Sequence, residues 1–299
     1  LGCAAAQSID VLLLMRLVQG MAAGAATVVA PAVIRATLPA HDGVRGMAAI
    51  GMIEAIIPAA GPVLGTVMLM VVDWRWTFVV VGVMALVAMP MAMRAAPRVL
   101  PNLDTTVRTG YLALLRSGRF VRLAVAHALC FAALLTFVAS APQMLHHGFG
   151  LGGEAFALSQ VFGVSGFAGM AALSGRISTR WGAHRAVQAS AWAHAVWCAG
   201  FAALAAAGWV NYAVLVVFWT GFCGIFGLRS PAAFSDTLSV PVAQMGRAAA
   251  LLMLALLVVS SASAQAVAPF LAQTGLLAVG GAMAALCLVS LLLVLRYPK

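Results

Sequence analysis

Charged side chains are scarce in this 299-residue chain, where Asp, Glu, Lys and Arg together make up 8% of the residues. A soluble domain carries roughly 25% of them. Only seven residues are acidic, and the single lysine is Lys299. Because 64% of the residues are hydrophobic, the composition excludes an ordinary soluble domain and favours the class of membrane proteins.

Paired cysteines and nucleotide-binding signatures are also missing. The five cysteines are scattered through apolar stretches, and no two of them form a Cys-x-x-Cys pair. This pattern is typical of small packing residues and excludes a disulfide frame or a metal site. The sequence contains neither GxxxxGK[ST] nor HExxH. We therefore expect no metal and no other cofactor, and the scattered acids argue against an intramembrane enzyme.

Apolar stretches long enough to cross a bilayer recur along the whole chain. They predict an all-α membrane protein with many spans. We predict nine complete spans and, at about 1–8, the remnant of a further one. The complete spans are expected at about 11–34, 47–71, 76–94, 120–145, 154–174, 186–207, 210–232, 246–272 and 276–295.

One connection, at 95–119, is longer than the others, polar and basic. It separates residues 1–94, with the remnant and three spans, from residues 120–299, with six spans. Six spans after a central loop suggest a two-fold repeat of six-helix halves. We therefore expect a twelve-helix protein whose first half is truncated in this sequence, which begins at Leu1 without a methionine.

The distribution of basic residues predicts the orientation in the membrane. When the 95–119 loop is taken as cytoplasmic, fifteen of the 17 Lys and Arg residues, Arg229 among them, fall in connections on that side. Arg75 alone falls on the opposite side, and Arg16 lies within a span. This asymmetry follows the positive-inside rule and places the C-terminus in the cytoplasm. It explains the net charge of +10 without nucleic acid as a partner.

Unusual residues for a span line one face of the second predicted helix. Gly51, Glu54, Pro58, Gly61 and Gly65 are spaced by three or four residues, which places them together on a helix. Glycine and proline weaken helices, and an acid is costly at membrane depth. The pattern predicts a close-packing face with a candidate proton site at Glu54. The alternative is a structural glutamate that reaches the headgroups or is held neutral by a hydrogen bond.

A second polar face lies on the first complete span. Arg16, Gln19, Gly20 and Gly24 share one side of the predicted helix. The four-residue spacing of the glycines is typical of closely packed membrane helices. Arg16 is therefore a candidate pathway residue that faces the bundle. The alternative is an arginine that snorkels to the outer interface.

Some isolated residues have a simpler interpretation. We expect Asp10 to cap a helix that begins at Val11. Asp73 and Arg75 are expected to form an ion pair in an outer turn. Trp219 is expected either to pack within its span or to stack on an aromatic ligand.

Three motifs in their expected order resemble those of the major facilitator superfamily. Residues 16–20, RLVQG, resemble the R-x-x-Q-G motif of its fourth helix. Residues 61–65, GPVLG, are similar to the G-P-x-x-G core of the antiporter motif in its fifth helix. Residues 175–185, GRISTRWGAHR, resemble the second-half copy of the loop motif G-x-x-x-D-R-x-G-R-[RK]. The resemblance covers essentially the whole chain.

Both later motifs depart from the family pattern. In the antiporter motif, Pro62 is present but Thr66 replaces the second glycine of the usual G-P-x-x-G-G. In the loop motif, Thr179 replaces the acid, which weakens a charge-latch role for this copy. The residues that we assign to this loop motif are Gly175, Arg180, Gly182 and Arg185.

The resemblance implies a function. Residues 1–20 and 73–78 further resemble the bicyclomycin/chloramphenicol-resistance branch of drug:proton antiporters. This implies proton-coupled efflux of small, mostly apolar drugs by alternating access, by a monomer in a bacterial inner membrane. In such transporters the principal proton-binding acid is often in the first helix, which this sequence lacks. The alternatives are a facilitator for a metabolite, such as a sugar or an amino-acid derivative, and an inactive fragment.

The proton-site hypothesis for Glu54 has a direct test. In the full-length protein, Glu54→Gln removes the titratable group and keeps the side-chain shape, so we expect weaker drug efflux with an altered pH dependence. Efflux measured across a pH series checks this. Unchanged efflux with an unchanged pH dependence would show that Glu54 is structural.

Overall fold

The regular structure of the chain is entirely helical wherever it is described. A computed structural model describes residues 1–37, 61, 63–95 and 110–296, and these residues contain helices and no strand. The all-α fold class is therefore confirmed. The chain divides into two compact units, Leu1–Arg108 and Thr109–Lys299. Their assignment to a truncated half and a complete half stays a prediction.

The first unit contains the long helix α1, Ile9–Thr37. Ser8 caps it, because its Oγ accepts a hydrogen bond from the Val11 backbone N–H at 3.3 Å. The expected cap at Asp10 is therefore wrong, and Asp10 lies in the first turn. The helix begins two residues earlier than predicted because serine is as good a cap as aspartate, and an acid in the first turn complements the helix dipole.

The same unit contains helix α2, Arg75–Ala95, which follows the helical residues 63–69 after a short turn. The predicted pairing of Asp73 with Arg75 is confirmed. The Asp73 carboxylate accepts the Arg75 backbone N–H at 2.9 Å, and its Oδ1 lies 3.6 Å from Arg75 Nη1. Arg75 Nη2 also donates to the Ala6 carbonyl at 3.3 Å, so one arginine ties the N-terminal residues to this turn.

The described residues of the second unit form six long helices and one short one. They are α3 (Tyr111–Arg116), α4 (Gly118–Phe149), α5 (Gly153–Trp181), α6 (Ala183–Ala206), α7 (Tyr212–Thr237), α8 (Val242–Val267) and α9 (Leu271–Leu295). A 3-10 turn, Ala268–Phe270, joins the last two. Six helical stretches among the described residues are apolar and long enough to cross a membrane, the last of them, Gln244–Leu295, comprising α8 and α9. The number of spans in the whole chain stays a prediction.

The helices extend beyond the apolar spans predicted from the sequence. Helix α3 lies within the 95–119 connection, and Gly182 alone separates α5 from α6, where the sequence predicted a loop at 175–185. Arginine is a good helix former, so a helix can continue beyond its apolar stretch. The length of an apolar run therefore measures the membrane rather than the helix.

Helices α5 and α7 pack with their backbones in direct contact. A Cβ at Gly166 would lie 2.5 Å from the carbonyl oxygen of Thr220, and one at Gly227 would collide with the carbonyl of Phe167. Gly163 is equally crowded, by the indole of Trp219. Only glycine allows this approach, which is the usual device for close packing of membrane helices.

The sequence contains a clear signal for this contact. Helix α5 carries glycines at 163 and 166, and α7 carries them at 224 and 227, in each case three residues apart, and these four lie against the other helix. A three-residue spacing places each set on one side of its helix. Sequence analysis instead favoured the glycines of 51–66, because a proline and an acid accompany them there.

Gly163, Gly166, Gly224 and Gly227 form the close contact between α5 and α7, which we call the glycine seam. Substitution of a seam glycine tests this packing. We expect Gly166→Ala to lower the free energy of unfolding by about 2 kcal/mol, because the added methyl overpacks against a backbone carbonyl. Gly169 is the matched control, since a Cβ there meets no described heavy atom within 4 Å. Gly169→Ala should leave stability unchanged or raise it by about 0.5 kcal/mol through helix propensity. Thermal unfolding of detergent-purified protein measures both, and equal losses would contradict the seam.

Candidate functional site

The predicted site residues are only partly within the described structure. Gly51, Glu54, Pro58 and Pro62 lie outside the described residues, so the candidate proton site and half of the antiporter motif stay predictions. The other predicted residues lie in α1, in the helical residues before α2, and around the junction of α5 with α6.

Arg16 and Gln19 are brought together on α1. Arg16 Nη1 donates a hydrogen bond to Gln19 Oε1 at 3.2 Å, and the guanidinium carbon lies 4.6 Å from the ring centroid of Phe78 in α2. The Cys3 thiol donates to the same Gln19 oxygen at 3.7 Å. Arg16 is therefore held by a neutral amide and a cation–π contact, with no carboxylate within ion-pair distance among the described residues.

The predicted packing glycines of the first unit are helical. Gly20 and Gly24 lie in α1, and Gly61 and Gly65 lie in the helical residues before α2. A Cβ at Gly20, Gly61 or Gly65 would meet no described heavy atom within 4 Å. The close-packing role assigned to these glycines therefore stays a prediction.

The predicted loop motif forms a tight corner between two helices. Gly175 and Arg180 belong to α5, Arg185 belongs to α6, and Gly182 joins the helices with φ 85° and ψ 142°. The positive φ explains the glycine at this one position. The Thr179 hydroxyl, at the position of the family's acid, donates to a backbone carbonyl of its own helix at 2.8 Å. No charge latch forms at this corner within the described part of the chain.

An aromatic stack lies in the core of the second unit. The ring of Trp219 in α7 stacks on Phe137 of α4, with centroids 4.0 Å apart and planes at 11°, and on Phe222 at 5.8 Å and 5°. Trp219 is 2% exposed. Its packed position agrees with the first of the two expectations for this residue.

Two hydrogen-bond donors near this stack have no acceptor among the described residues. They are the indole Nε1 of Trp219 and the amide Nε2 of Gln160 in α5. Gln160 is 3% exposed and lies one turn before Gly163, which contacts the Trp219 indole. An unpaired buried donor costs free energy, so these two groups are candidates for binding an acceptor atom.

Arg229 is a buried cation, although the sequence predicts that it lies in a cytoplasmic connection between spans. Helix α7 continues to Thr237, so Arg229 lies inside the helix and is 1% exposed. Its Nη2 donates to Ser290 Oγ at 2.7 Å and to the Ala126 carbonyl at 3.3 Å. Its Nε and Nη1 have no acceptor among the described residues. The assignment of Arg229 to the cytoplasmic connections is therefore wrong, because an arginine does not mark the end of a helix.

No carboxylate of the described residues forms an ion pair with Arg229. His127 beside it is buried and stacks on Phe226, with centroids 6.1 Å apart and planes at 13°. Asp236, on the same helix, is paired instead with Arg119, whose Nη2 lies 2.7 Å from its Oδ1. An intramembrane cation without an anion is costly and marks a position of functional interest.

The buried thiols and the second buried histidine form a separate polar group. His194 Nε2 contacts the Phe222 carbonyl at 3.2 Å, and its Nδ1 lies 3.5 Å from the Cys130 sulfur. Cys198 and Cys287 sulfurs lie 3.7 Å apart. Within residues 1–37, 61, 63–95 and 110–296, no three His, Cys, Asp or Glu side chains are arranged to hold a metal ion.

Comparison with known proteins identifies relatives of this chain. The family model of the Major Facilitator Superfamily matches residues 1–265. The uncharacterized transporter YebQ of Escherichia coli strain K12 is 34% identical over 95 residues, which cover 32% of this chain and 21% of YebQ. The multidrug resistance protein MdtL of Escherichia coli O157:H7 is 29% identical over 168 residues, which cover 54% of this chain and 43% of MdtL. MdtL of Shigella dysenteriae serotype 1 matches to the same extent. The alignments thus span less than half of each relative.

The cost of burying Arg229 is measurable. Arg229→Met keeps most of the volume and removes two unpaired donors, while Ser290 Oγ still donates to the Ala126 carbonyl at 2.5 Å. We expect the free energy of unfolding to stay equal or to rise by about 1 kcal/mol. Arg229→Ala leaves a cavity and should lose about 2 kcal/mol. Thermal unfolding compares the two, and an equal loss in both variants would show that the charge itself stabilises the fold.

Proposed function

Because this chain belongs to the Major Facilitator Superfamily, we propose that it exports small, mostly apolar compounds in exchange for protons by alternating access. The observation that carries the proposal is the similarity to the multidrug resistance protein MdtL over more than half of the chain. The helices are apolar enough to span a membrane, and the proposed location is a bacterial inner membrane with the C-terminus in the cytoplasm.

The proposed transporter is a monomer with two six-helix halves. We assign it to the bicyclomycin/chloramphenicol-resistance branch on the resemblance of residues 1–20 and 73–78. We propose that the glycine faces of α1 and of residues 51–65 allow these segments to slide against neighbouring helices during transport. Proton binding is proposed for Glu54. Arg16 and Gln19, which are hydrogen-bonded to each other, are proposed to line the pathway.

The core of the second unit supports a substrate with a planar ring and an acceptor atom. Stacked rings of Trp219 and Phe137 offer an apolar aromatic surface. The donors of Trp219 and Gln160 have no acceptor among the described residues, and a carbonyl or ether oxygen of a drug would satisfy them. Both residues belong to the interface of α5 and α7, so we propose that substrate gains access when this interface rearranges during transport.

Efflux from intact cells tests the proposal. In an efflux-deficient bacterial strain that expresses the full coding sequence, we expect ethidium to leave cells faster than from cells with an empty vector. A protonophore should abolish the difference, because the proton gradient supplies the energy. Fluorescence decay of preloaded cells measures both rates. Equal rates with and without the protein would contradict drug export, and sugar or amino-acid uptake would then test the metabolite alternative.

A conservative variant tests the role of the indole N–H in the same assay. Trp219→Phe keeps a ring and removes one donor, so we expect the KM for acceptor-bearing substrates to rise about fivefold, the value of a single hydrogen bond. Trp209→Phe is the matched control, since Trp209 is 74% exposed. A rise in KM for both variants alike, or for neither, would contradict a binding role for Trp219.

A further inference from the structure

The corner between α5 and α6 presents three exposed arginines. Arg176 and Arg180 lie one turn apart at the end of α5, and Arg185 lies in the first turn of α6. Because Gly182 alone connects the helices, the three guanidinium groups extend from a short stretch of chain. The corner is therefore a concentrated patch of positive charge.

The patch is not neutralised by carboxylates of the described residues. None of the three arginines forms an ion pair there. Thr179 occupies the place of an acid, and its hydroxyl is satisfied by the Arg176 carbonyl at 2.8 Å. At this same end of the unit, Asp236 forms an ion pair with Arg119. The three charges therefore remain available to an external anion.

An aromatic side chain indicates where the corner lies relative to the membrane surface. Trp181, between Arg180 and the turn, is 53% exposed. Tryptophan is enriched where a membrane meets water, because its ring is apolar and its N–H is polar. Helices α5 and α6 are apolar enough to span a membrane, and their shared end carries Trp181. We therefore expect the arginines next to it to lie at the level of the phospholipid headgroups.

The opposite end of the second unit has a different character. Its connections are 150–152, 207–211 and the 3-10 turn 268–270, and they contain no Arg or Lys. The nearby titratable residues are His146, His147 and Glu154. Positive charge is therefore confined to one end, so a partner attracted by charge would bind at one face of the bilayer.

We propose that the α5–α6 corner binds the headgroup of an anionic phospholipid. The guanidinium groups of Arg176, Arg180 and Arg185 hold the phosphate, for which a planar fork of N–H donors is suited. The ring of Trp181 packs beside the glycerol and upper acyl chain. Basic residues near an anionic leaflet favour such binding through their charge. The inference rests on membrane embedding alone and holds whether or not the protein exports drugs.

Lipid retention tests the assignment. Wild-type protein is equilibrated with vesicles of phosphatidylcholine mixed with phosphatidylglycerol, repurified in mild detergent, and its bound lipid is measured by native mass spectrometry. We expect the triple variant Arg176→Gln, Arg180→Gln, Arg185→Gln to retain phosphatidylglycerol at least about fivefold less. The corresponding triple lysine variant should keep most of it, because charge is preserved. Size-exclusion profiles identify the variants that fold.

The matched control removes equal charge elsewhere. Arg94, Arg116 and Arg296 are also exposed, and their triple glutamine variant should retain phosphatidylglycerol as the wild type does. Equal retention by the wild type and the corner variant would overturn the proposal, as would an equal loss in the control. Displacement of the lipid by an equal concentration of inorganic phosphate would reveal a simple anion site and overturn the lipid assignment.

Discussion

The direct contact between the backbones of α5 and α7 is the constraint on which the second unit depends. Glycines on both helices let a backbone carbonyl of each helix lie against the other helix, with the indole of Trp219 beside Gly163. Helix α7 is thereby held at a fixed rotation, which turns its aromatic residues and Arg229 toward the bundle core. Trp219 reaches its stack on Phe137 because Gly163 leaves room for the indole.

Arg229 sets the energetic character of that core. A guanidinium at this burial has given up its hydration for two neutral acceptors, and neutral acceptors recover only part of the loss. Burial of Arg229 therefore lowers the free energy of unfolding of this unit. Packing of the stacked rings, the buried thiols and the paired helices offsets this loss. In a membrane protein such a cost is found where charge serves the transported species or the proton, in agreement with the proposed transport function.

The sequence predicted the helical class and most helix positions, because apolar runs of bilayer length leave few alternatives. It did not predict where helices end. Arginine was taken as a mark of the aqueous connection, but α5 extends past Arg176 and Arg180, and α7 past Arg229. Ser8, rather than Asp10, caps α1, since capping is decided by where the backbone first turns. Burial of single polar groups, such as Gln160 and Trp219 Nε1, depends on the rotation of each helix, which composition does not encode.

The one-residue connection at Gly182 has a mechanical consequence. Two helices joined by a single residue share an end point, so α6 cannot translate along the membrane normal without drawing α5 with it. The angle between the two helices can change at Gly182, but the joined ends of the helices cannot separate. Because α5 also contacts α7 through the glycine seam, a displacement of α6 acts through the shared corner on the α5–α7 interface, where Gln160 and Trp219 lie.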